Sequence, residues 1–439
     1  MAEVVCDDAP IQGDDPGLKN SDSIAHTGIP KAFSVLHVND LPPEALSAMF
    51  HAFIDISKNH TRGLRPVLLV CKYWHNIATR TPQLWTDIHV LVNRTYSLER
   101  KILFARLCVR NSGSLPLDIT IDMEACLQDR ETYSRSTSRP LPQLFRALGG
   151  PEYTATARWR SLDLKLRHYP GEMAPAVSAL FEAVAPNLER ISIGNLGQNS
   201  GAVGLTRFLQ YTPRLSLLEV DGDIALSTIA MTNAQTLEHL KMQPYSPGSH
   251  LTSAMLSRFS KLRSLHLQPA FNQEALPFPG GTLSLPRLES LIIGHGFTDR
   301  ITTSFELPSL RRLTLRSYVR EVIHLPKVMP IEFAWDPPFR PHSHEASKRA
   351  INVLFGFYTS AELFILPMRI LPLLLNLPGV SFSSSLQWIE LEGEFGRNMV
   401  YTMTEKTISQ DHRTNLRPFR ECTELQRESF NLWRKSSRM

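Results

Sequence analysis

The sequence predicts a mixed α/β protein in which a small N-terminal helical module precedes a stack of repeated strand units. Three observations lead to this prediction: a helical periodicity of apolar residues after residue 41, a second apolar segment near residue 70, and a leucine pattern that recurs from residue 159. The composition is that of a folded chain, since 42% of the 439 residues are hydrophobic and 20% are charged. Disordered chains have higher charge and fewer apolar residues, which excludes wholesale disorder.

Residues 1–33 form an acidic segment that we predict to be a disordered tail. Residues 1–30 contain six Asp or Glu residues and one Lys, and few apolar residues recur there. Such a segment cannot bury enough surface to offset the conformational entropy lost on ordering. The whole chain has a formal charge of +5, which does not by itself indicate a nucleic-acid partner because the basic residues would have to cluster.

Residues 34–90 are predicted to be a helical module. The segment Leu41–Glu44 has the pattern of a helix start, because proline is tolerated in the first helical turn. Apolar residues then recur with the spacing of one helix face, at Leu46, Met49, Phe50, Phe53 and Ile54.

A second helix is predicted from about Arg65 to Thr79, after a polar break between residues 58 and 63. Its segment Val67–Cys71 is apolar on every side. A helix of this kind is buried on more than one face, and a module this small cannot supply two buried faces itself. We therefore expect one face to contact another chain.

A repeated pattern, L-x-x-L-x-L, occupies much of residues 91–394, which we predict to be an irregular solenoid of leucine-rich repeats. Six close copies begin at Leu188, Leu215, Leu237, Leu262, Leu288 and Leu310, and looser copies surround Trp159 and Leu386. Starts of neighbouring close copies are 22 to 27 residues apart, within the period of about 20–29 residues of such repeats. Alternate residues of a strand share a face, so the fourth and sixth residues of each copy should point into a core that only neighbouring copies can complete.

Other segments depart from this pattern. Leu115–Ile121 alternates as a strand does and is a candidate for an irregular first repeat. Residues 316–385 contain a proline-rich insertion near 326–345, and we predict a long loop followed by helices there. The apolar run from residue 363 to 382 is interrupted by proline, arginine and asparagine, so a core or solenoid helix is favoured over a membrane span. Residues 395–439 are predicted to be a basic C-terminal tail.

The segment from Leu36 to Trp85 resembles an F-box. The resemblance rests on Leu41–Glu44 with Leu46, on Val70–Trp74, and on Pro82–Trp85, which follow the family's L-P-x-E opening and V-C-+-x-W block in the right order. Together with the repeats, the chain resembles the expanded fungal F-box families that carry degenerate leucine-rich repeats.

The resemblance implies a partner and a role. An F-box docks on the Skp adaptor of a Skp–cullin–F-box ubiquitin ligase, and the downstream domain captures a protein substrate. Adaptor contacts, direct or supporting, are then expected at Leu41, Pro42, Glu44, Leu46, Phe50, Val70 and Trp74. Three alternatives stay open: the second helix caps the first repeat, Trp74 and Trp85 belong to the module's own core, or the chain is a leucine-rich-repeat interaction scaffold without a ligase role.

The third, fifth and seventh residues of each copy should point away from the core and bind the substrate. Tentative contacts among them are Leu217, Glu219, Lys241, His266, Ile292, Arg312 and Arg316. Arg312 and Arg316 lie on one strand, where a phosphate or carboxylate could be bound bidentately, and the apolar Leu217 and Ile292 are typical of an interface. The alternative is that these are ordinary surface side chains.

Catalytic chemistry is not indicated, and we expect a protein that is not an enzyme and binds no cofactor or metal. Phosphate-binding and nucleophile motifs are absent, and the H-x-H-E sequence at residues 342–345 lacks a nearby third ligand, so a solvated loop is favoured. The remaining alternative is an enzyme whose site forms only in the folded chain. Five scattered cysteines and the lack of a secretory signal indicate a cytoplasmic or nuclear protein without membrane or nucleic-acid partners.

Overall fold

A computed structural model describes the protein at residues 38, 41–57, 60–92, 98–123, 141–165, 180–194, 202–221, 229, 231–243, 252–268, 281–294, 304–316, 328–335, 344–367, 386–392, 399–403 and 416–418. The chain divides into two compact units, residues 1–42 and residues 43–439, each of which is described by itself. In the first unit, the amide of Leu41 donates to the carbonyl of Val38 at 3.3 Å. The predicted tail, residues 1–33, lies outside the described residues.

Three helices open the second unit: α1 (Pro43–Ile56), α2 (His60–Leu69) and α3 (Lys72–Thr79), followed by a 3₁₀ turn at Pro82–Trp85. Each of the three helices contacts the other two. The predicted α1 is confirmed, and its side chains Leu46, Phe50 and Ile54 are buried.

The prediction of one helix from Arg65 to Thr79 was wrong. The chain breaks between α2 and α3, where Cys71 has an extended backbone with φ −161° and ψ 169°. The polar break predicted between residues 58 and 63 is also helical from His60 onward. Two short helices can each pack on α1, which one straight helix could not do, so tertiary packing overrides the continuous apolar pattern.

The strands of the described residues form one large sheet and one small sheet. Their bounds are β1 Asp87–Leu91, β2 Leu117–Asp122, β3 Trp159–Lys165, β4 Arg190–Gly194, β5 Leu217–Asp221, β6 His239–Gln243, β7 Ser264–Leu267, β8 Thr282–Ser284, β9 Ser290–Ile293, β10 Ser304–Glu306, β11 Arg312–Leu315, β12 Glu332–Trp335, β13 Leu363–Pro367, β14 Trp388–Glu392, β15 Met399–Met403 and β16 Leu416–Pro418. In the large sheet, neighbours follow chain order from β1 to β16, except that β8 and β10 pair separately. All neighbours from β1 to β14 are parallel, and β14, β15 and β16 are antiparallel.

Further helices lie between the strands, as the chain connections of a parallel sheet require. Their bounds are α4 Leu98–Asn111, α5 Leu141–Gly149, α6 Ala202–Leu209, α7 Ser253–Leu256 and α8 His344–Phe357, with a second 3₁₀ segment at Pro151–Arg158. α4 contacts β1 and α5.

The strands predicted from the six close copies of the leucine pattern are confirmed as β4, β5, β6, β7, β9 and β11. Their register places equivalent positions side by side, so that Leu240 pairs with Leu265 and Leu265 with Leu291. The first, fourth and sixth residues of every copy are buried, with at most 5% of any side chain exposed. Leucine at these positions therefore builds one continuous apolar layer along the sheet.

Residues 316–385 differ from the prediction of a loop followed by helices. β12 lies within the proline-rich segment, α8 follows, and the apolar run at residue 363 begins as β13. Tyr358, just after α8, stacks on Phe333 of β12 with ring centroids 4.4 Å apart. A strand buried on both faces has no alternation of polar residues, so its sequence cannot be told from a buried helix.

Two other segments extend the sheet beyond the predicted repeats. β1 begins at Asp87, inside the segment assigned to the helical module, and pairs with β2, which confirms the strand predicted at residues 115–121. β15 and β16 lie within residues 395–439, and the rest of that segment is outside the described residues.

Candidate protein-docking surfaces

Helix α1 carries two apolar stripes, and only one of them is buried. Leu46, Phe50 and Ile54 face the helical core, whereas Met49, Phe53 and Ile56 recur at i, i+4 and i+7 on a second, exposed stripe. An ordinary surface helix has a single apolar stripe. The second stripe of α1 is therefore available to a partner.

The end of α2 and the start of α3 add further exposed apolar side chains. Ile56 is 79% exposed, Leu69 is 71% exposed and Val70 is 54% exposed. We call Met49, Phe53, Ile56, Leu69, Val70 and Tyr73 the exposed apolar set. Of the fourteen large apolar side chains exposed among the described residues, these six lie within 25 residues of one another. Such a concentration is typical of an interaction surface.

The core beneath this set is built from aromatic contacts and a close helix approach. The rings of Phe50 and Trp74 lie 5.0 Å apart, and the indole of Trp85 donates to the carbonyl of Ala78 at 2.7 Å. At Gly63, an added Cβ would lie 2.5 Å from Ser57 Oγ and 3.0 Å from Ile54 Cα. Glycine at this position lets α2 approach the end of α1.

The predicted adaptor residues fall into three groups by exposure. Val70 and Glu44 are exposed in the second unit, and Pro42 is exposed in the first. Leu41 and Trp74 are half-buried. Leu46 and Phe50 are fully buried, so they support the helical core rather than present a surface.

Ile56 and Leu69, the two most exposed members of the apolar set, were not among the predicted adaptor residues, although Leu69 belongs to the segment expected to contact another chain. The signal was present, because positions 49, 53 and 56 already show helical spacing. Met49 and Phe53 do lie on the same wide apolar face as Leu46, and the periodicity alone does not show that packing covers only one edge of that face.

A comparison with protein families identifies the class of this region. Residues 38–90 match the sequence model of the family described as F-box-like. No curated protein matches the chain. The chain therefore contains an F-box-like domain at residues 38–90, and this domain coincides with the helices that carry the exposed apolar set.

The sheet presents a second surface, made by the third, fifth and seventh residues of each copy. We call it the outward face. In β5 and β6, the inward residues are buried and the outward ones are half-buried or exposed. The tentative substrate contacts all lie on this face and are all half-buried: Leu217, Glu219, Lys241, His266, Ile292, Arg312 and Arg316.

Register brings some of these residues together. Glu219 pairs with Lys241 and Lys241 with His266, so the three lie side by side on neighbouring strands. Lys241 Nζ lies 3.3 Å from Glu219 Oε2. Arg316 donates to Gln268 Oε1 at 3.2 Å, across β9. Leu217 lies farther away, beside His239.

Gly294 makes the contact between Arg316 and Gln268 possible. Gly294 directly follows the last residue of β9 and lies between Arg316 and Gln268. A Cβ added to it would come within 2.8 Å of the Gln268 backbone. His266, in the same region, has its pKa lowered to about 4 by burial and by the positive charges of Arg316 and Lys241. It is therefore neutral at pH 7.

The opposite end of the outward face carries a network of charged side chains around Asp118. Asp118 accepts hydrogen bonds from Arg160 and from Ser161 and lies 3.2 Å from Arg190. Burial raises the pKa of Asp118, but these hydrogen bonds and positive charges outweigh it, so the pKa lies below its usual range.

Other chemistry has less support in the part of the chain that the structure describes. No group of three His, Cys, Asp or Glu side chains there could hold a metal ion. Burial and the charge of Asp87 raise the pKa of the Cys108 thiol, which keeps it protonated. His342 lies outside the described residues. Among the described helices, none is both long and apolar enough to span a membrane.

Proposed function

We propose that this protein is the substrate-recognition subunit of a Skp–cullin–F-box ubiquitin ligase, and that it performs no catalysis itself. The observation that carries the proposal is the coincidence of the F-box-like match at residues 38–90 with the exposed apolar set. The F-box-like domain docks on a Skp adaptor, which links the chain to a cullin in the cytoplasm or the nucleus.

The physical basis of the docking step is the second apolar stripe of α1. Ile56, Leu69 and Val70 together leave a large apolar area in contact with water in the isolated chain. Burial of apolar area stabilises a complex by about 25 cal/mol per Å² before the costs of association. A partner with a complementary apolar groove would therefore bind here, and the polar remainder of the module would surround the contact.

We further propose that the large sheet is a leucine-rich-repeat solenoid that captures the substrate. Three features support this: parallel strands in chain order, equivalent residues in register, and a repeat spacing of 22 to 27 residues. Each strand buries its leucines against its neighbours, which leaves the outward face as the polar surface of the sheet.

The test is calorimetric titration of the full chain with a purified Skp adaptor. The variant Leu69→Glu, Val70→Glu should lower affinity at least about tenfold, because it inserts two charges into an apolar contact. The matched control is Leu103→Glu on α4, where the side chain is 62% exposed but lies outside the F-box-like domain.

The outcomes separate the two candidate roles. Adaptor binding that is lost in the double variant and retained in the control supports the ligase role. A full chain that is folded by circular dichroism and does not bind the adaptor contradicts it. The chain would then be a repeat scaffold that binds proteins without a ligase.

A further inference from the structure

The outward face has an uneven distribution of charge. Its first three strands carry four carboxylates: Asp87, Asp118, Asp122 and Asp163. The outward positions of β6, β7, β9 and β11 carry no Asp or Glu at all, but they include Lys241, Arg312 and, at the end of β11, Arg316. Lys165 accompanies the carboxylates of β3, and β5 still carries Glu219 and Asp221, so the charge does not change gradually along the sheet. We call the outward positions of β6, β7, β9 and β11 the basic part, and its cations attract anions.

The buried polar atoms without a hydrogen-bond partner in the basic part include Arg312 Nε, Thr314 Oγ1 and His266 Nε2. Thr314 is only 7% exposed and lies between Arg312 and Arg316 on one face of the same strand. Buried donors without partners are costly, and native proteins retain few of them. Arg312 Nε and the Thr314 hydroxyl are donors left over beside cations, which indicates that an acceptor belongs there. The Nε2 atom of neutral His266 becomes a donor when the ring is protonated.

Arg312 has unused binding capacity. Its backbone amide donates to the carbonyl of Glu289, but its side chain forms no hydrogen bond or ion pair with the described part of the chain, and its guanidinium has five donors. Glu332 is its register neighbour on β12, but that residue is only 7% exposed and already has an interaction elsewhere. Among the described groups that shift the pKa of His266, Glu219 is the one carboxylate, and it is paired with Lys241.

The titration of His266 supports the same conclusion. Burial and the charges of Arg316 and Lys241 disfavour the imidazolium, while Gln268 and Glu219 favour it more weakly. Burial is the largest cause of the lowered pKa, and only the share due to Arg316 and Lys241 reflects a positive potential at this half-buried position. An anion held beside the ring would reverse that balance and raise the pKa.

We propose that the outward face of β6, β7, β9 and β11 binds an acidic protein segment through its Asp and Glu carboxylates. Arg312 and Thr314 hold one carboxylate, while Arg316 and His266 hold another. Strands lie about 4.8 Å apart, so His266 and Thr314 are separated by roughly 10 Å, which two carboxylates of one extended peptide can span. The proposal rests on the substrate-capturing role proposed above and names the class of substrate.

The experiment uses the full chain and a short fluorescein-labelled peptide of alternating glutamate and glycine, with binding followed by fluorescence anisotropy at low salt. We expect saturable binding that weakens as salt is added. The same peptide with glutamine in place of glutamate should not bind. The double variant Arg312→Gln, Arg316→Gln should bind the glutamate peptide at least about tenfold more weakly.

The matched control removes the same charge elsewhere. Arg146→Gln, Arg207→Gln changes two exposed arginines on α5 and α6 and should leave peptide affinity within about twofold. If this control weakens binding as much as the double variant does, net charge explains the binding and the proposed site is wrong.

Two further probes test the chemistry. A phosphoserine–glycine peptide or a single-stranded oligonucleotide that binds more tightly than the glutamate peptide would overturn the assignment to carboxylates. In the wild-type chain, nuclear magnetic resonance should show the pKa of His266 rising from about 4 when the glutamate peptide binds. An unchanged pKa would contradict contact at this position.

Titration with the Skp adaptor on the same preparation keeps the two proposals apart. Loss of peptide binding with intact adaptor binding overturns only the acidic-segment proposal. Loss of adaptor binding with intact peptide binding overturns only the ligase role.

Discussion

The helical module and the sheet use apolar residues in opposite ways. In the sheet, every apolar row is covered by the next strand, as Leu265 is covered between Leu240 and Leu291. In the module, α2 and α3 cover one stripe of α1 and leave Met49, Phe53 and Ile56 exposed. The strands therefore cover one another's apolar residues by stacking, whereas the described residues of the module leave part of its apolar surface uncovered.

The sharpest test of this contrast within the module compares two phenylalanines of α1. Phe50 is 1% exposed and packs on Trp74, whereas Phe53 is 47% exposed. Phe50→Ala should destabilise the module by about 3–5 kcal/mol, because it leaves a cavity. Phe53→Ala should leave stability nearly unchanged but weaken adaptor binding about tenfold or more.

Urea denaturation followed by tryptophan fluorescence measures the first effect, and adaptor titration measures the second. Equal effects of the two substitutions on stability would show that the exposed stripe is part of the core.

The same contrast in the sheet compares two leucines that point in opposite directions. Leu265→Ala on β7 removes a fully buried side chain and should cost about 2–5 kcal/mol. Leu217→Ala on β5 removes a half-buried outward side chain and should cost less than about 1 kcal/mol. Chemical denaturation checks both variants, and similar costs would contradict the assignment of inward and outward faces.

A pair of glycines tests how closely the module helices approach. Gly63→Ala should destabilise the chain by about 1–3 kcal/mol, because the new methyl group meets the Ile54 backbone at 3.0 Å. Gly356→Ala, in α8, meets nothing within 4 Å and should stabilise by up to about 1 kcal/mol, since alanine favours helix. Thermal unfolding should therefore shift in opposite directions, and a shift in the same direction would refute the close approach.

The smallest expected effect concerns pH and the outward face. The pKa of His266 is about 4 in the folded chain, below the value of about 6.5 for an unfolded histidine. Its neutral form is thus favoured by folding, so its contribution to stability is complete above pH about 6.5 and decreases as the pH falls toward 4.

Partial exposure of the ring limits this contribution to less than about 1 kcal/mol. His266→Gln should therefore reduce the loss of stability between pH 7 and pH 5 relative to the wild type, as measured by urea midpoints. An unaltered pH dependence would show that His266 is not in the positive field of Arg316 and Lys241.

Much of the fold could be predicted from the sequence because the repeated pattern is strong and local. The six L-x-x-L-x-L copies predicted β4, β5, β6, β7, β9 and β11, and the spacing after Leu46 predicted α1. In both cases, the period of the apolar residues is the period of the structure itself, so no distant residue is needed to interpret it.

Tertiary packing determines the features of the fold that the spacing of apolar residues does not predict. The break at Cys71, the strand at residue 363 and the burial of Thr314 all depend on which elements pack together, and a short apolar run has no signal for that. Both residues are phenylalanine, so residue type could not predict that Phe50 is buried and Phe53 is exposed. Phe50 faces the neighbouring helices and Phe53 faces water, because α2 and α3 cover only one side of α1.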